Sequence, residues 1–269
     1  MSPQAMDALP DLWAFIAHMT TEFERGAFTD WHDFAQPIRA WFTLERLEQV
    51  DASVMGWDKM SSYADQATLV HLTAILLSVL RLPEYQALSP EQQNLALWIV
   101  LYHDVDKEVF QGKRDHTHGF RSAGICGKGL ARLGFVDDVD EQALAQWVRL
   151  TQSAKIFDET VNDFVQDNAQ LEAIMQGVDT IFDGRNSPAG LIIGGVLFHM
   201  SLDVVDEFPQ TAPLTDEQIC AYLSPTLFPL LRVMMLTDNA AWALFNPERH
   251  APEREQLYRE FDRVQALLL

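Results

Sequence analysis

The chain is poor in three features that often announce a protein's class: cysteine, long apolar runs and positive charge. Its two cysteines, Cys126 and Cys220, leave no disulfide framework and fit a reducing cytoplasm, the expected compartment. No uninterrupted apolar run approaches the roughly eighteen residues of a membrane span. The opening stretch MSPQAMDALPDLWAF has no basic segment followed by an apolar core, so no secretory signal is expected. Lys and Arg number 19 against 39 Asp and Glu, and the net charge of -20 argues against a surface for duplex nucleic acid or a membrane. Strand-like alternation with hairpin turns is missing too, as are repeats, low-complexity tracts and long linkers.

What is present is a helical pattern. With 269 residues, 48% of them hydrophobic, the chain can bury a full core. Apolar residues recur at three- and four-residue spacing in 11–23, 38–50, 66–81, 91–103, 120–133, 141–154, 168–182, 189–205, 216–236 and 254–268. Ser89-Pro90-Glu91-Gln92 has the order of a capping box with proline at the first helical position. Thr215-Asp216-Glu217-Gln218 repeats the box, and Ser187-Pro188 opens another helix. The expectation is an all-α bundle with helical extensions at both ends. The divisions expected are 1–58, a central bundle over 59–207, and a C-terminal extension over 208–269 packed on it.

Chemistry concentrates in LYHDVDKEV, Leu101 to Val109, where a long apolar run ends on His103, Asp104, Asp106 and Lys107. Imidazole and carboxylate together suit first-row divalent ions. Adjacent residues on a regular helix point about 100° apart, so both can reach one ion only near a helix end. The competing reading is a cap, with Asp104 closing the loop and His103 favouring the helix C-terminal dipole. His71 lies in ATLVHLTAILLSVL, where a buried imidazole needs a partner for each nitrogen. His18, His32 and His250 read as ordinary histidines. From Lys107 to Arg132, six basic residues stand against two acidic ones, either a solvated face or a local attraction for a small anion. GICGKG, Gly124 to Gly129, lacks the spacing of a phosphate loop and reads as close-packing points on a helix.

The ordered set of His71, the YHDVDK doublet, then HTHGFRSA with GLARLGF, and a later helical aspartate resembles the HD-domain superfamily of metal-dependent phosphohydrolases. The resemblance covers roughly residues 60 to 185. It implies an HD-like helical bundle holding one divalent metal ion (Mn, Fe, Co, Ni, Zn or Mg) on His71, His103, Asp104 and a late aspartate. Asp179 is preferred for that place over Asp203 on order and spacing. The implied activity is hydrolysis of a small phosphate ester, including nucleotides, by a metal-bound water. Asp104 would hold that water, and Lys107 would neutralise developing charge. His118 would protonate the leaving group or hold phosphate, and Arg121 would bind phosphate oxygens. The helix over 141–154 lacks the further histidine of dinuclear and oxygenase branches, so a second metal would need His116 or His199. Two alternatives stay open: a non-catalytic HD-type module binding a nucleotide or partner, and an HD-type iron oxygenase. The apolar surface of the flanking helices also allows a homodimer.

Overall fold

The computed structural model describes residues 2–58, 67–107, 115, 117–160, 162–202 and 212–269. Among these, the chain forms fourteen α-helices and one two-stranded antiparallel sheet, an all-α bundle. The N-terminal layer is α1 (Ala5–Ala8), α2 (Pro10–Glu24), α3 (Trp31–Trp41) and α4 (Leu44–Ser53). Then come α5 (Ala67–Arg81), α6 (Pro83–Gln86), α7 (Pro90–Tyr102), α8 (His118–Arg132) and α9 (Glu141–Ser153). A hairpin of β1 (Lys155–Asp158) and β2 (Asp163–Gln166) leads to α10 (Leu171–Ile181) and α11 (Pro188–Phe198). The chain finishes with α12 (Asp216–Tyr222), α13 (Phe228–Trp242) and α14 (Pro247–Leu268).

Three helices make the centre because they have no wet face. Residues 68–79 of α5, 94–102 of α7 and 189–198 of α11 are buried around the whole helix circumference. The capping box at Ser89 and the serine cap at Ser187, each followed by proline, set where α7 and α11 begin. Their far ends then reach the same region. α8 packs on α11 and α9, and α13 packs on α5 and α7. The glycines of α8 serve this packing, as expected from the sequence: a Cβ on Gly127 would sit 2.6 Å from Trp147 Cζ3 and 2.8 Å from Phe182 Cζ.

One hydrophobic core runs from Ala5 to Val264, so the N-terminal, central and C-terminal segments share it. The N-terminus is pinned by Asn94, which accepts from Ala5 N–H at 2.8 Å and donates to Pro3 O at 3.0 Å. No helix among the described residues is long and apolar enough to cross a membrane.

Four local expectations change. The helix expected over 216–236 is two, because Pro225 bars Ser224 from the helical region and Ser224 Oγ accepts from Leu227 N–H at 3.1 Å. The one expected over 38–50 is likewise broken, with Thr43 capping α4 through Arg46 N–H. The helix expected to reach 205 stops at Phe198, capped by His199. The hairpin carries no strand signal in the sequence because neither KIFD nor DFVQ alternates: each sets two adjacent apolar residues between polar ones.

Candidate metal centre

Five stretches of chain bring His71, His103-Asp104, His118, His199 and Asp238 together. His103 and His199 occupy the C-caps of α7 and α11, and their side chains do the same job. His103 Nδ1 donates to Val100 O at 2.8 Å, and His199 Nδ1 donates to Val196 O at 2.7 Å. Each satisfies a carbonyl that the ending helix would leave orphaned. A ring tied this way at Nδ1 must present Nε2 as a bare acceptor beyond the helix end. The cap reading and the ligand reading of His103 are therefore two nitrogens of one ring. His118 opens α8 and is held likewise, with Nδ1 donating to Asp115 O at 2.6 Å.

The three Nε2 atoms face a shared carboxylate. Asp104 Oδ1 lies 2.9 Å from His118 Nε2 and 4.0 Å from His199 Nε2, while those two nitrogens stand 3.0 Å apart. Asp104 Oδ2 lies 3.6 Å from His103 Nε2. Ligand atoms of His71, His103 and Asp104 fall within 4.8 Å of one another, and those of Asp104, His118 and His199 do the same. All five residues are buried. Bare imidazole nitrogens and a carboxylate oxygen converging at such distances repel unless a cation or proton lies among them. His103 Nε2 and both ring nitrogens of His71 are buried without a hydrogen-bond partner. The donor set therefore fits a divalent first-row ion. Two helix C-termini, those of α7 and α11, add the negative ends of their dipoles.

Asp238, on α13, lies beside the first group at its His71 end, with its side chain about a third exposed. Its Oδ1 is 2.8 Å from His71 Nε2, close enough for an ion pair but not aligned for a hydrogen bond. Trp242, one turn further along α13, stacks against the His71 ring, with centroids 4.3 Å apart.

Electrostatics keep Asp104 and Asp238 charged and hold His103 and His199 neutral. Burial alone would raise the Asp104 carboxyl, but Lys107, then His103 and His118, outweigh it and hold it well below the usual carboxylate range. Burial likewise opposes ionisation of Asp238, yet His71, Lys107 and His103 bring it down to about 2. Burial lowers His103, and burial followed by the neighbouring His118 lowers His199 to about 3. Lys107 Nζ donates to Asp104 Oδ2 at 2.8 Å, and the attraction of Asp104 raises its pKa against burial. The chain after Tyr102 leaves the helix, so Lys107 reaches the carboxylate through a turn and not along a continued helix face.

Two expected site residues sit elsewhere. Asp179 is on α10, where it takes Arg185 in a two-point ion pair at 2.5 and 3.1 Å, partly open to solvent and outside both ligand groups. Arg121 is buried, and its guanidinium is spent on protein. It donates to Asp106 Oδ2 at 3.3 Å, Asp106 O at 2.6 Å and Thr117 Oγ1 at 2.8 Å, and pairs with the Asp115 carboxylate. Asp203 and His116 lie outside the described residues, as do Lys113 and Arg114 of the basic stretch. Arg132 from that stretch donates to Asp51 O at 2.7 Å, so three of its cations serve internal acceptors and not an open anion patch.

Sequence reasoning missed Asp238. Its signal was an acidic residue set in the buried run Val233–Thr237 and Asn239 of α13, the same kind of anomaly as His71 in α5. No family model, curated protein or solved structure matches this chain.

Proposed function

We propose that this protein is a divalent-metal-dependent phosphohydrolase of HD-domain type, with Asp104 shared between two metal positions. The observation that carries the reading is the Asp104 carboxylate, whose two oxygens face different histidines: Oδ2 towards His103, and Oδ1 towards His118 and His199. The first position would use His71, His103, Asp104 and Asp238. The second would use Asp104, His118 and His199, with His199 filling the place left by the histidine-free helix α9. When bound, such ions supply Lewis acidity and a water whose pKa is lowered towards neutrality.

The remaining work belongs to the chain. Lys107 holds Asp104 ionised and offers a fixed positive charge beside the site, where negative charge on a phosphoryl group would be favoured. His103 and His199 stay neutral at physiological pH, as ligands must. The enclosed apolar walls of α5, α7 and α11 exclude water, which strengthens each of these interactions. The substrate class proposed is a small phosphate ester, including nucleotides.

Metal analysis of protein purified without chelator, with a phosphatase and phosphodiesterase screen over Mn²⁺, Co²⁺, Ni²⁺ and Mg²⁺, tests the reading. Two equivalents of metal, both lost in Asp104→Ala, together with phosphate release, are expected. A folded protein that takes up no metal would instead be a binding module. A second reading, a dinuclear iron oxygenase, gains from the same His199 contact. Two irons, oxygen uptake and no phosphate release would select it.

A further inference from the structure

We infer that Arg121 is a positioning residue for the second metal position, acting through Asp115 and His118; this rests on the two-position reading above. Arg121 joins two stretches of chain that flank residues 108–114. On one side it grips Asp106, two residues after the shared Asp104, through Oδ2 at 3.3 Å and the backbone oxygen at 2.6 Å. On the other it pairs with the Asp115 carboxylate and donates to Thr117 Oγ1 at 2.8 Å.

Both stretches carry ligands. Asp115 O accepts from His118 Nδ1 at 2.6 Å, and that bond aims His118 Nε2 at Asp104 Oδ1, 2.9 Å away. Asp115 is itself fixed by Thr117, whose N–H and Oγ1 reach its Oδ1 at 3.0 and 3.1 Å. Ser122 Oγ accepts from Asp106 N–H at 3.2 Å, tying the first stretch to α8 a second time. The guanidinium thus sets the distance between the carboxylate and the imidazole that together form the second position. Its planar fork serves acceptors on both stretches at once, which a lysine ammonium on a flexible stem does not reproduce. Partners that orient a ligand from outside typically contribute ~10–100-fold to metal affinity.

Titration calorimetry with Zn²⁺ on chelator-stripped protein tests this, alongside histidine ¹⁵N spectra of the metal-free state. Arg121→Lys should weaken one of the two equivalents by ~10–100-fold and the other, which shares only Asp104 with it, by much less. It should also shift the His118 tautomer signal while His103 and His199 keep theirs. Asp115→Asn, which retains the backbone acceptor but weakens the ion pair, should move both readouts in the same direction by less. It also serves as the measured variant if Arg121→Lys does not fold. Wild-type affinity at both equivalents with an unmoved His118 signal overturns the inference and leaves the two-position reading standing. Equal weakening of both equivalents also overturns it, since that is the mark of general loosening. A wild-type protein that takes up no Zn²⁺ overturns the inference and the reading together.

Discussion

His199 illustrates how a single side chain can serve fold and site at once, with Nδ1 closing a helix and Nε2 turned to the carboxylate. Its neutral state makes stability depend on pH. The unfolded imidazole titrates near 6.5, while the folded one stays neutral down to about 3. As pH falls below 6.5 the unfolded chain takes up a proton that the native state refuses. Stability of the metal-free protein should therefore drop through that window, by up to about 1.4 kcal/mol per pH unit from His199 alone. His103, lowered in the same way, steepens the fall. Asp104 and Asp238 act lower down: both are depressed, so their contribution is present above 3.8 and is lost as pH falls through their native values. Urea unfolding of metal-free protein across this range checks it, and a flat profile would contradict a buried neutral His199.

Two aspartates give a sharper test at the same scale. Asp238→Asn should weaken metal binding beyond the ~10–100-fold typical of outer partners. Asp179→Asn should leave metal content intact and cost no more than ~1 kcal/mol, the value of an exposed pair such as that with Arg185. Metal titration and thermal unfolding of the two variants separate them. His71, His103, Asp104 and His118 were legible in the sequence because each interrupts an apolar pattern or stands in a recognisable order. Asp238 was not, because one acid on a helix ordinarily marks a wet face. Only the packing of α13 on α5 turns it inward towards His71.

Among the elements, α8 does most to shape the centre. Its N-terminus supplies His118, its first two turns carry Arg121 and Ser122, and its glycine face admits α9. Gly127→Val should cost ~1–3 kcal/mol, because Trp147 and Phe182 already occupy the space of a side chain there. Thermal denaturation measures that cost, and a neutral result would mean α9 can shift outward freely. Helix identity and most helix starts could be read from periodicity and caps, since both are local. The breaks at Thr43 and Ser224-Pro225 were harder, because apolar spacing continues across them. The convergence of the ends of α7, α11 and α8 was invisible for a different reason: it depends on helix lengths and crossings, which no local pattern encodes.

For the molecule as a whole, a bound ion would link segments from His71 to Asp238 within one core. Ligand linkage then stabilises the entire cooperative unit, by about 2.7 kcal/mol for each site at a hundredfold excess over Kd. Metal should raise the Tm as a single shifted transition, and chelator should reverse it. Scanning calorimetry would count against this if only part of the transition moved. The same spread of candidate ligands along the chain has a consequence for synthesis. While the polypeptide is emerging from the ribosome, His71, His103 and Asp104 exist as separate side chains with little hold on any ion. A metal position that includes Asp238 would close only once α13 has emerged and docked on α5. An ion bound there would therefore arrive at a nearly assembled cage, after most of the chain has folded without it.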